Sequence, residues 1–171
     1  MPIRNRVVPL AVLAVVGLVG AACGGGGDSK PREGTPAATG VAPGCDVVPL
    51  DVASKSLKLE LTGPVEQKRT SGTTCVFARP AGGASATETV YFNANESKES
   101  FAIIREGYEK NNVKANKIKG WGDEAYAVRI RLFVDTNTFA VRKGRIGVTI
   151  TSVAEFPEVR TLMKEVLKRV S

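Results

Sequence analysis

Histidine is absent from the 171 residues of this sequence, and cysteine occurs only three times. Without an imidazole, the chain has no Ser-His or Cys-His nucleophile, no His-Glu-x-x-His zinc motif and no side chain that ordinarily shuttles protons near neutral pH. The sequence also shows no cluster of metal-ligating residues and no motif of adjacent nucleophile and base. We therefore expect a protein that is not an enzyme, with no catalytic residue, no metal and no cofactor.

A long apolar run is also missing. The longest uncharged stretch, Val7 to Val19, contains Pro9 and is shorter than the roughly 20 apolar residues of a membrane-spanning helix. Arg4 and Arg6 precede it and small residues follow it, which is the pattern of a secretory signal peptide. The sequence predicts that residues 1–22 form this signal.

The segment Gly20-Ala21-Ala22-Cys23 resembles a bacterial lipobox, in which the cysteine thiol is diacylated and the chain is cut before it. The resemblance implies that Cys23 is the lipidated first residue of the mature chain, held in the cell membrane on its extracytoplasmic side. Gly20 departs from the pattern, because a lipobox usually has Leu or another aliphatic residue there, and Val19 stands one place earlier. Two alternatives stay open: a soluble secreted protein cut near Ala22, and an uncleaved membrane anchor.

The remaining sequence divides into a tether and one domain. Residues 24–44 are rich in Gly and Pro and have almost no large apolar side chains, so 23–44 are predicted to be a lipid anchor with a flexible tether that reaches about 25 Å. Residues 45–171 have the size of one domain with its own core. Within the net charge of +7, Arg4 and Arg6 belong to the signal and 24–44 is neutral, so the domain carries +5. This charge favours anionic surfaces, and export argues against nucleic acid as a partner.

With Cys23 lipidated, Cys45 and Cys75 remain as an even pair in an oxidising compartment. Such a pair predicts a disulfide that joins the first helix to the sheet. The alternative is two buried free thiols.

The periodicity of apolar residues predicts an α+β domain with a single antiparallel sheet packed against two or three helices. One helix starts at Pro49, and a second is capped by Asn95 or Ser97, with its apolar face at Phe101, Ile104 and Tyr108 and with Lys98, Arg105 and Lys110 facing water. The last helix, Pro157 to Val170, has apolar residues at spacings of three and four and should be the main core helix. Strands are predicted at Glu66–Thr70, Thr74–Ala78, Glu88–Asn93 and, weakly, Val113–Lys119, with turns at Gly63-Pro64 and Ser71-Gly72 and a loop at Ala81–Ala86.

A meander of three strands follows. Ile130, Leu132 and Val134 alternate with Arg129 and Arg131, Asp135–Asn137 is predicted to be a turn, and Lys143-Gly144 a second turn. The outward register of Arg129, Arg131 and Arg142, with Lys143 and Arg145, can place several of them on one face. This face is either a solubilising surface or a patch that docks on anionic lipid or an acidic partner.

The stretch Gly120 to Tyr126 holds the only tryptophan, two glycines and two adjacent acids. Because neighbouring side chains on an extended chain point to opposite faces, Asp123 and Glu124 are poorly placed as an acid/base pair. One interpretation is structural: Trp121 closes the sheet edge and Asp123 caps backbone amides in a turn. The other is a ligand-binding loop with Trp121, Asp123, Glu124 and Tyr126 as contacts.

The order of these features resembles a group of actinobacterial lipoproteins, the domain-of-unknown-function family 3558. The resemblance covers Cys45 to Val170; Cys45 and Cys75 match the paired cysteines of the family, and Gly122–Tyr126 matches its Gly-Asp-Glu-Ala-Tyr motif. Val47-Val48 departs from it, because the family more often has Leu and Ser or Thr before the proline. The resemblance implies a cell-envelope protein with a small α+β domain, and it implies no known reaction.

Three functions are consistent with these features. The first is a non-enzymatic lipid-anchored protein that binds a partner protein or ligand, for example as an accessory to a membrane sensor. The second is a carrier of an apolar molecule in a cavity between the helices and the sheet. The third is a hydrolase that works without histidine, for which the sequence offers no motif.

Overall fold

The computed structural model describes residues 41–80, 87–131 and 134–170. The predicted signal peptide, the lipidation site Cys23, the tether up to residue 40 and the loop 81–86 lie outside the described residues, as does Leu132. None of the helices within the described residues is both long enough and apolar enough to cross a bilayer.

Seven strands form one fully antiparallel sheet in the order β1-β2-β3-β7-β6-β5-β4, with three helices packed on it. The α+β fold is therefore confirmed. A 3-10 turn, Cys45–Val47, precedes the first helix. The helices are α1 Leu50–Leu57, α2 Lys98–Lys110 and α3 Phe156–Leu167. The strands are β1 Thr62–Arg69, β2 Gly72–Ala78, β3 Thr87–Asn93, β4 Ala115–Lys117, β5 Glu124–Arg131, β6 Asp135–Lys143 and β7 Ile146–Ser152.

The main core lies between one face of the sheet and the helices α1 and α3. Pro157 occupies the first turn of α3, where its missing N–H costs nothing. Leu162, Met163 and Val166 are fully buried against sheet residues such as Phe139. The apolar spacing of the last helix thus predicted its buried side correctly.

A second, smaller core lies under α2 on the opposite face of the sheet. Ser97 caps this helix by accepting a hydrogen bond from the backbone N–H of Ser100 at 3.0 Å. The predicted inward face was partly wrong. Phe101 is buried, but Ile104 is 46% exposed, and the side chain of Arg105 is only 15% exposed. Arg105 follows Phe101 by one helical turn, so its aliphatic stem covers the sheet where Ile104 was expected to lie.

The disulfide between Cys45 and Cys75 is present, with the two Cα atoms 5.5 Å apart. It joins the turn before α1 to the middle of β2, as predicted. The backbone N–H of Cys45 also donates to Oε2 of Glu66 on β1, at 2.8 Å. The start of the domain is therefore held to two neighbouring strands.

The predicted position of the fifth strand was wrong by several residues. β5 runs from Glu124 to Arg131, and the chain turns before Asp135, which begins β6. Helices cover both faces of this strand, so Ala125 to Val128 are all buried and no period-2 pattern marks them. The alternation ending at Val134 was misleading, because that side chain is 55% exposed.

Turn positions also differ in detail. Gly63-Pro64 lies inside β1 rather than before it; β1 is an edge strand with a register shift between Thr62 and Val65, where proline is tolerated. The β1–β2 turn is Thr70-Ser71, since Arg69 pairs with Gly72. The β6–β7 turn is Gly144-Arg145, since Lys143 pairs with Ile146. Both turns were predicted one residue away.

The β1–β2 and β6–β7 turns lie at the same end of the sheet, which we call the turn end, because Thr73 pairs with Phe92, Phe92 with Val148 and Val148 with Val141. Val41, Ala42 and Gly44 line a crevice together with Ser71 and Gly72 of the β1–β2 turn. The chain therefore enters the domain at the turn end.

Candidate functional site

The loop Gly120–Asp123, which we call the tryptophan loop, joins β4 to β5 at the turn end. Gly122 has a φ of 53°, and a Cβ there would lie 2.4 Å from the carbonyl oxygen of Arg142. Only glycine permits this approach to β6 without strain. The next residue, Asp123, donates its backbone N–H to that same carbonyl at 2.8 Å.

Asp123 fastens the loop to the neighbouring turn. Its Oδ2 accepts hydrogen bonds from the backbone N–H of Gly144 at 2.8 Å and from Nη1 of Arg142 at 3.2 Å. The same guanidinium nitrogen donates to the carbonyl oxygen of Gly144 at 2.8 Å. Asp123 therefore caps a turn amide, as the structural interpretation predicted, but in the β6–β7 turn and not in its own loop.

Trp121 closes the core at this corner of the sheet. Its ring meets Phe139 edge to face, with the centroids 5.0 Å apart and the planes at 78°. The guanidinium carbon of Arg160 on α3 lies 5.4 Å from the ring centroid, within cation–π range. The side chain is half-buried and packs against the main core, so part of the indole remains at the surface. Trp121 can therefore pack on the core and contact a ligand at the same time.

A crevice opens on each side of the tryptophan loop. The crevice on the α2 side, of about 330 Å³, is lined by Phe101, Arg105, Lys117, Lys119 and Glu124, among others. On the α3 side the crevice is about 420 Å³, and we call it the lysine groove. Its lining is Gly120–Gly122, Lys143, Lys164, Leu167 and Lys168. Both crevices share the loop as a wall and carry several cationic side chains.

Asp123 and Glu124 do not converge. Asp123 binds the β6–β7 turn, whereas Glu124 lies opposite Arg142 in the strand register and lines the α2-side crevice. Its Oε2 is shielded from solvent and accepts no hydrogen bond from the described residues. This arrangement gives no acid/base pair, in agreement with the sequence analysis.

Tyr126 is not at the surface. It is 2% exposed, and its ring lies 5.0 Å from that of Phe101 and 6.1 Å from that of Tyr108. Burial raises the pKa of its hydroxyl well above the usual value, so the group stays neutral. In this position Tyr126 packs the second core and cannot contact a ligand without movement of α2.

The three arginines predicted to share a face are separated. Arg142 lies at the turn end with its side chain only 13% exposed, whereas Arg129 and Arg131 lie at the far end of β5. Arg129 pairs with Asp135 at 3.3 Å and with Glu155 at 3.0 Å. Arg131 is exposed, and Arg142 has its own partner in Asp123. The predicted arginine face is therefore wrong as a single patch.

Sequence reasoning missed six basic residues that surround the tryptophan loop: Arg105, Lys117, Lys119, Arg160, Lys164 and Lys168. The spacing of Lys164 and Lys168 around Leu167 was visible as the polar edge of an amphipathic helix. Nothing local indicated that this edge meets Trp121, since the contact depends on how α3 crosses the sheet.

No group of three or more Cys, Asp or Glu residues that could hold a metal is found within the described ranges. Comparisons with protein-family models, curated proteins and solved structures found no match. The resemblance to domain-of-unknown-function family 3558 therefore stays a prediction.

Proposed function

We propose that this chain is a non-enzymatic, lipid-anchored cell-envelope protein at the outer face of the cytoplasmic membrane, and that it binds a partner protein or ligand at the tryptophan loop. The anchor rests on the signal pattern of residues 1–22 and on the lipobox-like segment before Cys23. The disulfide between Cys45 and Cys75 suits an oxidising compartment outside the cytoplasm.

The observation that carries the binding proposal is the half-buried Trp121, whose ring meets Phe139 edge to face and has the guanidinium of Arg160 over it. Binding surfaces commonly use such an aromatic anchor, because a side chain that is already immobile loses little conformational entropy when a partner covers it. The link from Asp123 to Gly144 further restricts the loop. Solubility alone requires neither an immobile aromatic side chain nor a restricted loop.

The carrier alternative has less support. It requires unfilled apolar space between the helices and the sheet, and there Leu162, Met163 and Val166 pack against Phe139 with no exposed surface. The crevices around the tryptophan loop lie at the edge of this core and are lined by charged residues. An apolar crevice of about 310 Å³ lies between α3 and the sheet, with Ile118, Ala127, Phe139 and Phe156 in its lining. A small apolar ligand could occupy it, but an elongated one would have to displace core side chains.

A crosslinking experiment in intact cells tests the binding site. A photo-crosslinking amino acid is placed at Lys119, which is exposed beside the loop, or at Lys110, which is exposed at the end of α2. We expect one adduct of defined mass from position 119 and none from position 110. Trp121→Phe, which keeps an aromatic ring on Phe139, should retain the adduct, and Trp121→Ala should lose it while the disulfide remains intact.

Equal adducts from both positions, or none from position 119, would contradict the proposed binding surface. The anchor is tested separately by mass spectrometry of the mature N terminus. An unmodified N terminus at any residue other than Cys23 would contradict lipidation. The crosslinking result would still test the binding surface, because it does not depend on the anchor.

A further inference from the structure

The lysine groove carries charges of one sign only. Each titratable residue in its lining is a lysine: Lys143 at the end of β6, Lys164 in the last turn of α3, and Lys168, which directly follows this helix. Within the described part of the chain neither Lys143 nor Lys164 forms an ion pair, whereas Lys168 contacts Glu165 at 2.7 Å. The groove therefore presents a net positive rim.

The floor of the groove is apolar. Trp121 and Leu167 are both half-buried and face it, and the backbone of Gly120–Gly122 completes the wall. A ring of ammonium groups around an indole and a leucine matches an anionic headgroup above the first carbons of an acyl chain. Tryptophan and lysine are the residues that favour this boundary, since each has an apolar body and a polar tip.

Several cations at the opposite end of the sheet have acidic partners. Lys58 pairs with Glu158 at 2.9 Å, Arg79 with Glu88 at 3.1 Å, and Arg129 with two acids. At the turn end, Lys119 and Arg145 are exposed on the α2 side of the tryptophan loop, and Arg145 donates to the neutral Asn95 at 3.1 Å. The lysines of the groove therefore do not stand alone at this end of the sheet.

The position of the anchor favours the same end. Val41–Gly44 reach the domain at the β1–β2 turn, so the predicted tether from Cys23 arrives at the turn end. A tether with a reach of about 25 Å keeps this end within a short distance of the bilayer. Because the tether holds the domain at a high effective concentration near the bilayer, a modest attraction is sufficient to populate the docked state.

We infer that the lysine groove docks the domain on the anionic phospholipid surface of its own membrane, with Trp121 at the level of the headgroups. This inference rests on the proposed lipid anchor. Phosphate oxygens accept hydrogen bonds from Lys143 and Lys164, and the indole lies against the glycerol and upper acyl region. The occupant of Trp121 is then the lipid surface, and docking leaves only the α2-side crevice of the tryptophan loop open to a partner in the envelope.

The test uses the full chain as cells process it, purified from membranes and reconstituted through its own N terminus into vesicles. The vesicles contain phosphatidylcholine alone or mixed with phosphatidylglycerol brominated near the headgroup. Trp121 is the only tryptophan, so its emission reports on the groove without labelling. We expect quenching and a blue shift with phosphatidylglycerol only, and a return to the undocked emission at high salt, which screens the attraction.

Lys143→Gln combined with Lys164→Gln should lower the docked-to-free ratio about twenty-five-fold, because each lysine near an anionic surface contributes about fivefold. Lys143→Arg with Lys164→Arg should preserve docking. The matched control is Lys110→Gln with Lys114→Gln, which removes the same charge from exposed positions away from the turn end and should change the ratio little. Circular dichroism checks that each variant is folded.

Three results would overturn the inference: emission that does not depend on phosphatidylglycerol, an equal loss of docking in the control variant, or an equal response to soluble glycerol phosphate. The last result would mean that the groove binds free phosphate and not a membrane surface. Flotation at high salt, which releases docked protein but not lipid-anchored protein, measures anchoring independently. If the protein floats but its tryptophan is not quenched, docking is contradicted and the anchor is not. If the tryptophan is quenched but the protein does not float, the anchor is contradicted and docking is not.

Discussion

Asp123 and Gly144, 21 positions apart, are joined by a hydrogen bond of 2.8 Å from the backbone N–H of Gly144 to Oδ2 of Asp123. This bond makes the tryptophan loop and the β6–β7 turn one unit at the turn end of the sheet. Trp121 on the loop and Lys143 beside the turn therefore keep a constant relation to each other, and the lysine groove between them is preformed.

Removal of this link should loosen the groove and weaken the domain. Asp123→Ala loses the bonds to Gly144 and Arg142 and leaves a nearly buried guanidinium without its acid, so we expect a loss of about 1–2 kcal/mol in the free energy of unfolding. Asp135→Ala is the control, because Arg129 keeps Glu155 as its partner. Urea unfolding of both variants measures the difference, and equal losses would contradict the special role of Asp123.

Replacement of Gly122 by alanine should destabilise the domain more than replacement of Gly120. Both have positive φ, 53° and 81°, but an added Cβ meets the carbonyl oxygen of Arg142 only at Gly122; at Gly120 it meets nothing within 4 Å. Gly120→Ala should cost about 1–2 kcal/mol for the left-handed backbone alone. Gly122→Ala should cost clearly more in the same thermal unfolding assay, and a smaller cost at Gly122 would show that the loop can move away from β6.

The packing of α3 predicts different costs at neighbouring leucines. Leu162 is fully buried, and Leu162→Ala should lower the free energy of unfolding by about 2–5 kcal/mol. Leu167 is only half-buried at the groove, so Leu167→Ala should cost less. Chemical denaturation of the Leu162→Ala and Leu167→Ala variants measures the two losses. A loss at Leu167 equal to that at Leu162 would mean that the end of α3 is packed more tightly than the structure shows.

The disulfide should contribute strongly to stability. It closes a loop with a sequence separation of 30, for which chain entropy gives about 3–4 kcal/mol. We expect the variant with Cys45→Ala and Cys75→Ala to lose about this amount in equilibrium unfolding. In the unreduced, unfolded wild-type protein, a thiol reagent should label neither cysteine, and labelling of both would show that the bond does not form in the cell.

Glu66 should make stability depend on pH in the acid range. The N–H of Cys45, and to a smaller extent Lys68, hold the pKa of the Glu66 carboxyl below its usual value. A carboxyl whose pKa is lowered in the folded state stabilises it above the ordinary pKa and loses that contribution as the pH falls through the lowered value. Glu66→Gln should therefore be less stable than wild type at neutral pH, and the two should converge in acid.

Comparison with Lys68→Gln separates the two causes of this shift. Since the backbone hydrogen bond is the larger one, Lys68→Gln should keep most of the pH dependence in a series of urea titrations. A full loss of the pH dependence in Lys68→Gln would assign the effect to the ion pair with Lys68, which is 3.1 Å from Glu66.

The sequence alone determined those features that local pattern or pairing decides. The apolar spacing of α3, the proline at its start and the even pair Cys45 and Cys75 each predicted what the structure contains, and Ser97, the cap of α2, was one of the two candidates. Each depends on residues within one turn of a helix, or on the small number of ways in which two cysteines can pair. The capping role of Asp123 was predicted as well, although the amide that it binds was not.

Only the tertiary structure decided which residues meet around Trp121. β5 was misplaced because helices bury both of its faces, which removes the alternation that marks a half-exposed strand. The predicted arginine face failed because β5 and β6 are antiparallel, so Arg129 and Arg142 lie at opposite ends of the sheet. The lysine groove is formed by the loop between β4 and β5, by the end of β6 and by the end of α3. Its lysines come together only because of the angle at which α3 crosses the sheet. This angle depends on long-range packing, which no local stretch of sequence encodes.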